Sequence, residues 1–383
     1  MGKAKFGSLL LLCQGILVIL FVVFVDDGEE LIKPSTEDDA TNILEGFHNL
    51  HVSTFLGFGL IMTFLRRYSR GMLVHVFLIG ALTIQWATLL QGFFTIHKTK
   101  IDMTLMRVIN ADFAVISVLV SMGAVMGKCN SLQLLVLALL QTFFYSVNEA
   151  INDKLILATD IGRSVIVHAF GAFFGLAVSR MTFSSKVCMS QALSMSSKSE
   201  MYSFIGTLFL WAYWPSVNAL LMVGTCEKRA VVNTFYALAA CCTASFSFTV
   251  LQSKEGKFNI FHLQSSTLAG GVAIGSIAAM SITPWGAVIV GIVGSLGSVL
   301  GYKYSLPKLR RRLKMHDTRG VFATHGIPGV LSALASILVA LLVSESNYGS
   351  SLYLLYPARA PQANSTKLTE LQKFRSSIIP TCE

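Results

Sequence analysis

Among the ionisable residues inside or at the rim of long apolar runs, five are candidates for chemistry: Asp112, Glu149, Asp160, His168 and His325. A titratable group is expensive in such a setting, so each needs a reason. The histidines carry the sharper chemistry, because a neutral imidazole both donates and accepts a hydrogen bond and can pass a proton with little rearrangement near physiological pH. A lone histidine in an apolar helix is more often a satisfied structural group. Two of them five spans apart are a different matter, since an odd offset sets their host helices antiparallel, as inverted-topology repeats require. The strings H-A-F-G-A-F-F-G from His168 and H-G-I-P-G-V from His325 both continue with glycine and apolar residues. The three carboxylates gather towards one mouth. On a structural reading Asp160 caps a helix N-terminus, Asp112 hydrogen-bonds within the bundle and Glu149 is interfacial. On a functional one, acidic groups around an outer vestibule concentrate a cation before it sheds its water.

The elements that hold these residues follow from hydropathy. Of 383 residues, 53% are apolar and 13% are Asp, Glu, Lys or Arg, roughly half the charged share of a soluble domain. A window of about 19 residues, enough to cross a bilayer as a helix, finds eleven spans: 9–25, 52–65, 72–94, 108–126, 132–151, 164–181, 202–223, 230–251, 265–282, 285–300 and 326–343. The first resembles a signal peptide in its flanking Lys3 and Lys5, but it runs into Asp26-Asp27 without a small-x-small site and is taken as a retained helix. The expected protein is all-α and integral to the membrane. It has an N-terminal helix (1–25), an acidic extracellular loop (26–51), two inverted five-helix repeats (52–181 and 202–343) and a polar tail (344–383) with no run of spanning length.

With the N-terminus cytoplasmic, eighteen Lys and Arg residues fall in inner loops, Lys128 and Arg319 among them, against eight in outer loops, Arg163 among them. That bias fixes the orientation and explains a net charge of +10 without nucleic acid, for which no polar basic domain is present. The sequon at Asn364 then lies outside, available for N-glycosylation. Seven cysteines without C-x-x-C or zinc spacing read as small core residues. Catalytic signatures such as G-x-S-x-G, H-E-x-x-H and the P-loop are missing, so an enzyme is not expected, nor a cofactor or metal. One geometric difficulty stands. Hydropathy puts His168 near the outer edge of its run and His325 near the inner edge of its own, about 15 Å or more apart for straight helices. They meet only if the preceding segments dip into the membrane, and Gly162, Gly320 and Pro328 leave room for such breaks.

Several strings, in order, make the chain similar to the Rh glycoproteins of the ammonium transporter/Rh family over nearly its whole length. They are G-F-G-L-I-M-T-F-L-R-R-Y from Gly57, I-Q-W-A from Ile84, I-N-A-D-F from Ile109, V-N-E from Val147 and H-A-F-G-A-F-F-G-L from His168. The second half adds I-G-T-L-F-L-W-A-Y-W-P-S from Ile205, T-L-A-G-G-V-A-I-G from Thr267 and H-G-I-P-G from His325. The resemblance implies a homotrimer in the plasma membrane, each subunit with its own narrow pore for ammonia, and for carbon dioxide as a second cargo. It also implies that His168 and His325 line the pore, that Phe113 is the outer gate and that Asp160 stands at the pore mouth. A second gate phenylalanine is replaced by Val217, which predicts a wider constriction. Glu200 replaces an aspartate of the family's inner vestibule, while Asn259 and Arg310 stand where carboxylates are usual. Cation recruitment is therefore expected to be stronger from outside. The tail implies an ammonium transporter-like fold lacking the last helix.

Placing an intact ammonium ion in a dry pore costs several kcal/mol. A selective route strips the proton first: Asp160 and Glu149 attract the ion, Phe113 excludes water and hydrated metal ions, and the neutral molecule passes the two imidazoles. Two other classes compete. One is a non-transporting Rh-type structural subunit, recognised by surface expression without ammonia flux. The other is a secondary transporter whose histidines relay protons, recognised by a solute-dependent proton current.

Overall fold

The computed structural model describes residues 3–28, 37–96, 100–222 and 224–343, together with Leu352 and Tyr356. Among the described residues, eight helices are long and apolar enough to cross a membrane: Lys5–Phe24, Ser69–Phe94, Leu105–Ala124, Ser131–Ile156, Ser164–Met181, Gly224–Gln252, Thr283–Arg312 and Phe322–Leu342. Leu105–Ala124 is the central helix, with every residue from Ala111 onward buried. Its start is set by Thr104, whose side chain accepts from the Arg107 N–H. Ser131–Ile151 begins with a capping box between Asn130 and Gln133, which satisfies two backbone donors that the first turn leaves unpaired. The N-terminal helix is peripheral: Leu17 packs in a small cluster with Leu82, Leu89 and Leu135, whereas Leu11, Leu12 and Val22 face outward.

Three segments read from the sequence depart from their expected form or bounds. The segment expected as an acidic loop over 26–51 is helical from Glu37, and Glu37–Val52 continues through a π-turn at Ser53–Gly57 into Phe58–Ile61. Ile43, Phe47 and Leu50, spaced to share one helix face, pack on the main core, and this stripe outweighs the acidic surroundings that suggested a loop. The second is the helix Ser197–Ala219, whose serines, threonine and charged first turn lower its mean hydropathy. The third run, 265–282, breaks into Ile260–Ser266 and a wholly buried Ala269–Gly275. One short parallel pairing, Val25–Asp27 with Ile101–Met103, interrupts an otherwise helical architecture.

Small residues let the helices approach closely. A Cβ on Gly291 would lie 2.2 Å from the Ala237 carbonyl oxygen, and one on Gly206 would lie 2.4 Å from the Ile61 nitrogen. The Ser245 and Ser295 hydroxyls hydrogen-bond at 2.9 Å across the same pair of helices as Gly291 and Ala237. The reading of all cysteines as simple core residues needs one correction: Cys226 is disulfide-bonded, while Cys13, Cys129, Cys188, Cys241 and Cys242 are free. Of the tail, Leu352 and Tyr356 pack with Ala219, Ile274, Ile277 and Met280. Asn364 lies outside the described residues.

Candidate functional site

Each histidine sits in the first turns of its helix behind a matching device. Asp160 stands eight residues before His168, and its Oδ2 accepts from the Val165 and Ile166 N–H groups at 2.9 Å each. Asp317 stands eight residues before His325; it accepts from Gly320 and Val321 at Oδ1 and from Phe322 at Oδ2, at 2.8, 3.0 and 2.8 Å. Both carboxylates thereby satisfy the unpaired donors of a helix start. Both starts are wound as π-turns, Ser164–Ala169 and Phe322–Gly326. The chain enters the second through Gly320 at φ +78°, where a Cβ would collide with the Tyr302 ring and hydroxyl at 2.3 Å, so a side chain there would have to displace Tyr302 and strain the backbone. Pro328, expected as a break, instead occupies the first turn of Ile327–Leu342.

The two imidazoles meet. Their ring centroids are 5.0 Å apart with planes 13° from parallel. Trp214 stacks on His168 at 5.4 Å and Phe58 on His325 at 6.3 Å, so that four rings are linked by near-parallel contacts. Both histidines are about 95% buried, and each Nδ1 is enclosed without a hydrogen-bond partner. Trp214 is held in turn by Gly271, where a Cβ would lie 2.7 Å from the indole nitrogen. Beside His325 is a cavity of about 20 Å³, lined by Phe58, Met62, Val120, Leu268, Arg319 and Thr324 among others. That volume is room for about one water-sized molecule.

Asp160 and Asp112 make the contacts of the structural reading, a helix cap and a hydrogen bond within the bundle. Asp160 is fully engaged, its remaining Oδ1 accepting from the Ser276 hydroxyl at 2.7 Å. Glu149 is buried against Arg163 in an ion pair of 2.6 Å and accepts from the Gln91 amide at 2.8 Å. Asp112 is completely buried and bonds the His51 ring at 2.8 Å. Phe113, 2% exposed, lies beneath the Arg163 guanidinium with 5.6 Å between its carbon and the ring centre. Val217 is half-buried at the edge of the main core.

Three cations counted as loop charges are wholly or partly withdrawn from solvent. Arg163 and Arg319 are 9% and 5% exposed. Lys128 donates to the Ser179 hydroxyl at 2.9 Å and to the His316 carbonyl oxygen, and burial lowers its amine to about 8. Trp214, Phe58 and Arg319, which stand beside the histidine pair or its cavity, were not singled out from the sequence. A signal for Arg319 was available: the Asp-to-His interval of eight residues recurs at 160–168 and 317–325, and each interval holds one arginine.

Residues 11–365 match the Ammonium Transporter Family, and the chain belongs to that family. It is 38% identical to the ammonium transporter Rh type B of Xenopus tropicalis, over 98% of this chain and 85% of that one. With the Danio rerio protein of the same name it shares 42% identity over 91% and 79%. Among solved structures it resembles Nitrosomonas europaea Rh50, described with the mechanism of conduction by the Rhesus protein family of channels. The TM-score is 0.74 and the identity 29%, over 88% of this chain and 86% of that one. Saccharomyces cerevisiae Mep2 shares the fold, with a TM-score of 0.68 and 17% identity over 90% and 86%. The relatives are named as transporters and channels, not enzymes, and the chain is a multi-pass membrane protein of the Rh kind.

Proposed function

We propose that this protein is an ammonia channel of the plasma membrane, conducting the neutral molecule past His168 and His325. The observation that carries the reading is the stacked, buried histidine pair between Trp214 and Phe58, beside a cavity of one-molecule size. An ion that enters such a place gives up its hydration and finds no carboxylate bonded to either ring, whereas a neutral hydrogen-bonding molecule loses far less. Ammonium can meet the condition by leaving its proton behind; sodium and potassium cannot. Carbon dioxide, also neutral and small, is a second cargo. Phe113 is the outer gate, with Val217 forming the softer part of that constriction.

The mouth works differently from a simple acidic funnel. Glu149 and Arg163 neutralise each other at close range, and Asp160 serves the helix start that holds His168. Their part in recruitment is the net negative potential of Asp160 near the rim, with Glu149 keeping Arg163 from repelling the ion. The proposed topology has eleven crossings, completed by the helix through Phe58, the helix Ser197–Ala219 and the broken segment around Ala269–Gly275. The halves 52–181 and 202–343 are inverted repeats, supported by the twin aspartate-capped starts. The N-terminus is cytoplasmic, Asn364 is an outer glycosylation site, and three copies assemble.

Stopped-flow measurement of ammonia uptake into proteoliposomes tests the reading. Wild-type protein is expected to accelerate alkalinisation, and His168→Ala with His325→Ala to lower that rate at least tenfold. Flux that survives unchanged in the double variant would count against it. Normal surface expression without any wild-type flux would point to a structural subunit.

A further inference from the structure

Arg319 is a cation in the wall of a passage whose proposed cargo begins as a cation. Its guanidinium carbon lies 5.0 Å from the Phe64 ring centre and 4.9 Å from that of Phe261. One terminal nitrogen donates to the Ser265 hydroxyl at 2.9 Å and the other to the Gln264 side-chain oxygen at 3.1 Å, both neutral partners. Nε is buried with no hydrogen bond at all. The aspartate nearest in sequence, Asp317, commits both oxygens to backbone N–H groups, and among the described residues no carboxylate forms an ion pair with Arg319.

The contrast with the other helix start is informative. Arg163 occupies the corresponding interval before His168 and is also set over an aromatic ring, but it is neutralised by Glu149 at 2.6 Å. The two ends of the histidine pair thus share one architecture and differ in charge. A guanidinium stays protonated at any accessible pH, and a charge in a water-poor wall acts on its surroundings far more strongly than one in solution. An unpaired arginine there is costly, and such residues within membrane proteins commonly serve the pathway.

We propose that Arg319 is a specificity-determining residue: a positive charge without a directly paired carboxylate, in the wall of the cavity beside His325, that turns back cations and leaves neutral molecules unaffected. The proposal rests on the reading of the histidine pair as an ammonia conduit. It adds a cation barrier that does not depend on stripping the proton, and it confines that barrier to one end of the pore.

The test compares cation current with ammonia flux in the same preparation. Wild type, Arg319→Gln, Arg319→Lys and Ser265→Asp are reconstituted. Ammonia flux is read from an internal pH dye, and ammonium and potassium currents from planar bilayers. Arg319→Gln removes the charge, whereas Ser265→Asp leaves the arginine in place and pairs it, so a folding defect in the first does not remove the second. The ratio of cation current to ammonia flux is expected to rise at least tenfold in both, and to stay near the wild-type ratio in Arg319→Lys. A ratio within twofold of wild type in Arg319→Gln and Ser265→Asp would overturn the barrier while leaving the ammonia channel intact. Loss of ammonia flux itself in both, with the proteins folded, would also overturn it, because a charge barrier is not needed for a neutral molecule to pass. Wild-type protein without ammonia flux would instead remove the channel reading on which the proposal stands.

Discussion

Glu149 was marked as an acid at a mouth, and its position near the end of a span was legible, but its partner was not. Arg163 follows it by fourteen residues, across a turn whose path hydropathy does not describe. Buried pairs of this kind are destabilising mainly when halved, because one desolvated charge is then left alone. Glu149→Gln is expected to lower stability by about 3–5 kcal/mol, seen as a fall in thermal unfolding temperature in detergent. Adding Arg163→Met is expected to recover much of that loss, a result a pair of unrelated sites would not give. The histidines were legible because type and parity of span are sequence properties. Trp214 was not, because an aromatic residue in an apolar run reads as core until Gly271 is seen to push it onto His168. Gly271→Val is expected to displace the indole and cut ammonia flux several-fold with little loss of folded protein, measured by flux normalised to protein recovered by gel filtration.

Helices were found from sequence where the apolar run was long, and missed in form where small or polar residues did the packing. Gly206 shows why: its missing side chain admits the backbone of Gly57–Ile61, and a hydropathy scale values that glycine hardly at all. Gly206→Ala is expected to force the two helices apart at a cost of about 1–3 kcal/mol, read as a lower midpoint temperature. The segment 313–320 shows a second limit, since the sequence places its charges in an inner loop and says nothing of what they touch. The Lys128 amine and the Ser179 hydroxyl both donate to the His316 carbonyl oxygen, and the Arg180 guanidinium donates to the carbonyl of Leu313. The His316 imidazole is lowered to about 4, first by burial and then by Lys128 and Arg310. A base whose folded value is depressed takes up its proton more readily when unfolded, so stability falls as pH drops from about 6.5 towards 4. The midpoint temperature is expected to decline over that window, and His316→Gln to flatten the decline.

At the scale of the molecule, the sequence carried the family and the membrane class, and the count of crossings remained tied to hydropathy. Eight helices meet a length and composition test among the described residues; the remaining crossings lie in helices that are short, broken or polar. Topology is directly measurable. Single cysteines placed at 255 and 315 are expected to react with an impermeant thiol reagent only from the side that carries the N-terminus, and a cysteine at 154 only from the other. Both halves are also tied together beside the histidines. The Gly162 N–H donates to the Gly275 carbonyl at 2.8 Å, the Ser164 hydroxyl to that of Val272 at 2.6 Å, and the Ser276 hydroxyl to Asp160 Oδ1 at 2.7 Å. A carrier must swing one half against the other on every turnover, and here each swing would tear three bonds at the hinge point. On the proposed channel reading, throughput in such a clasped body is expected to track the gradient of dissolved gas in proportion, with no ceiling set by a recycling step.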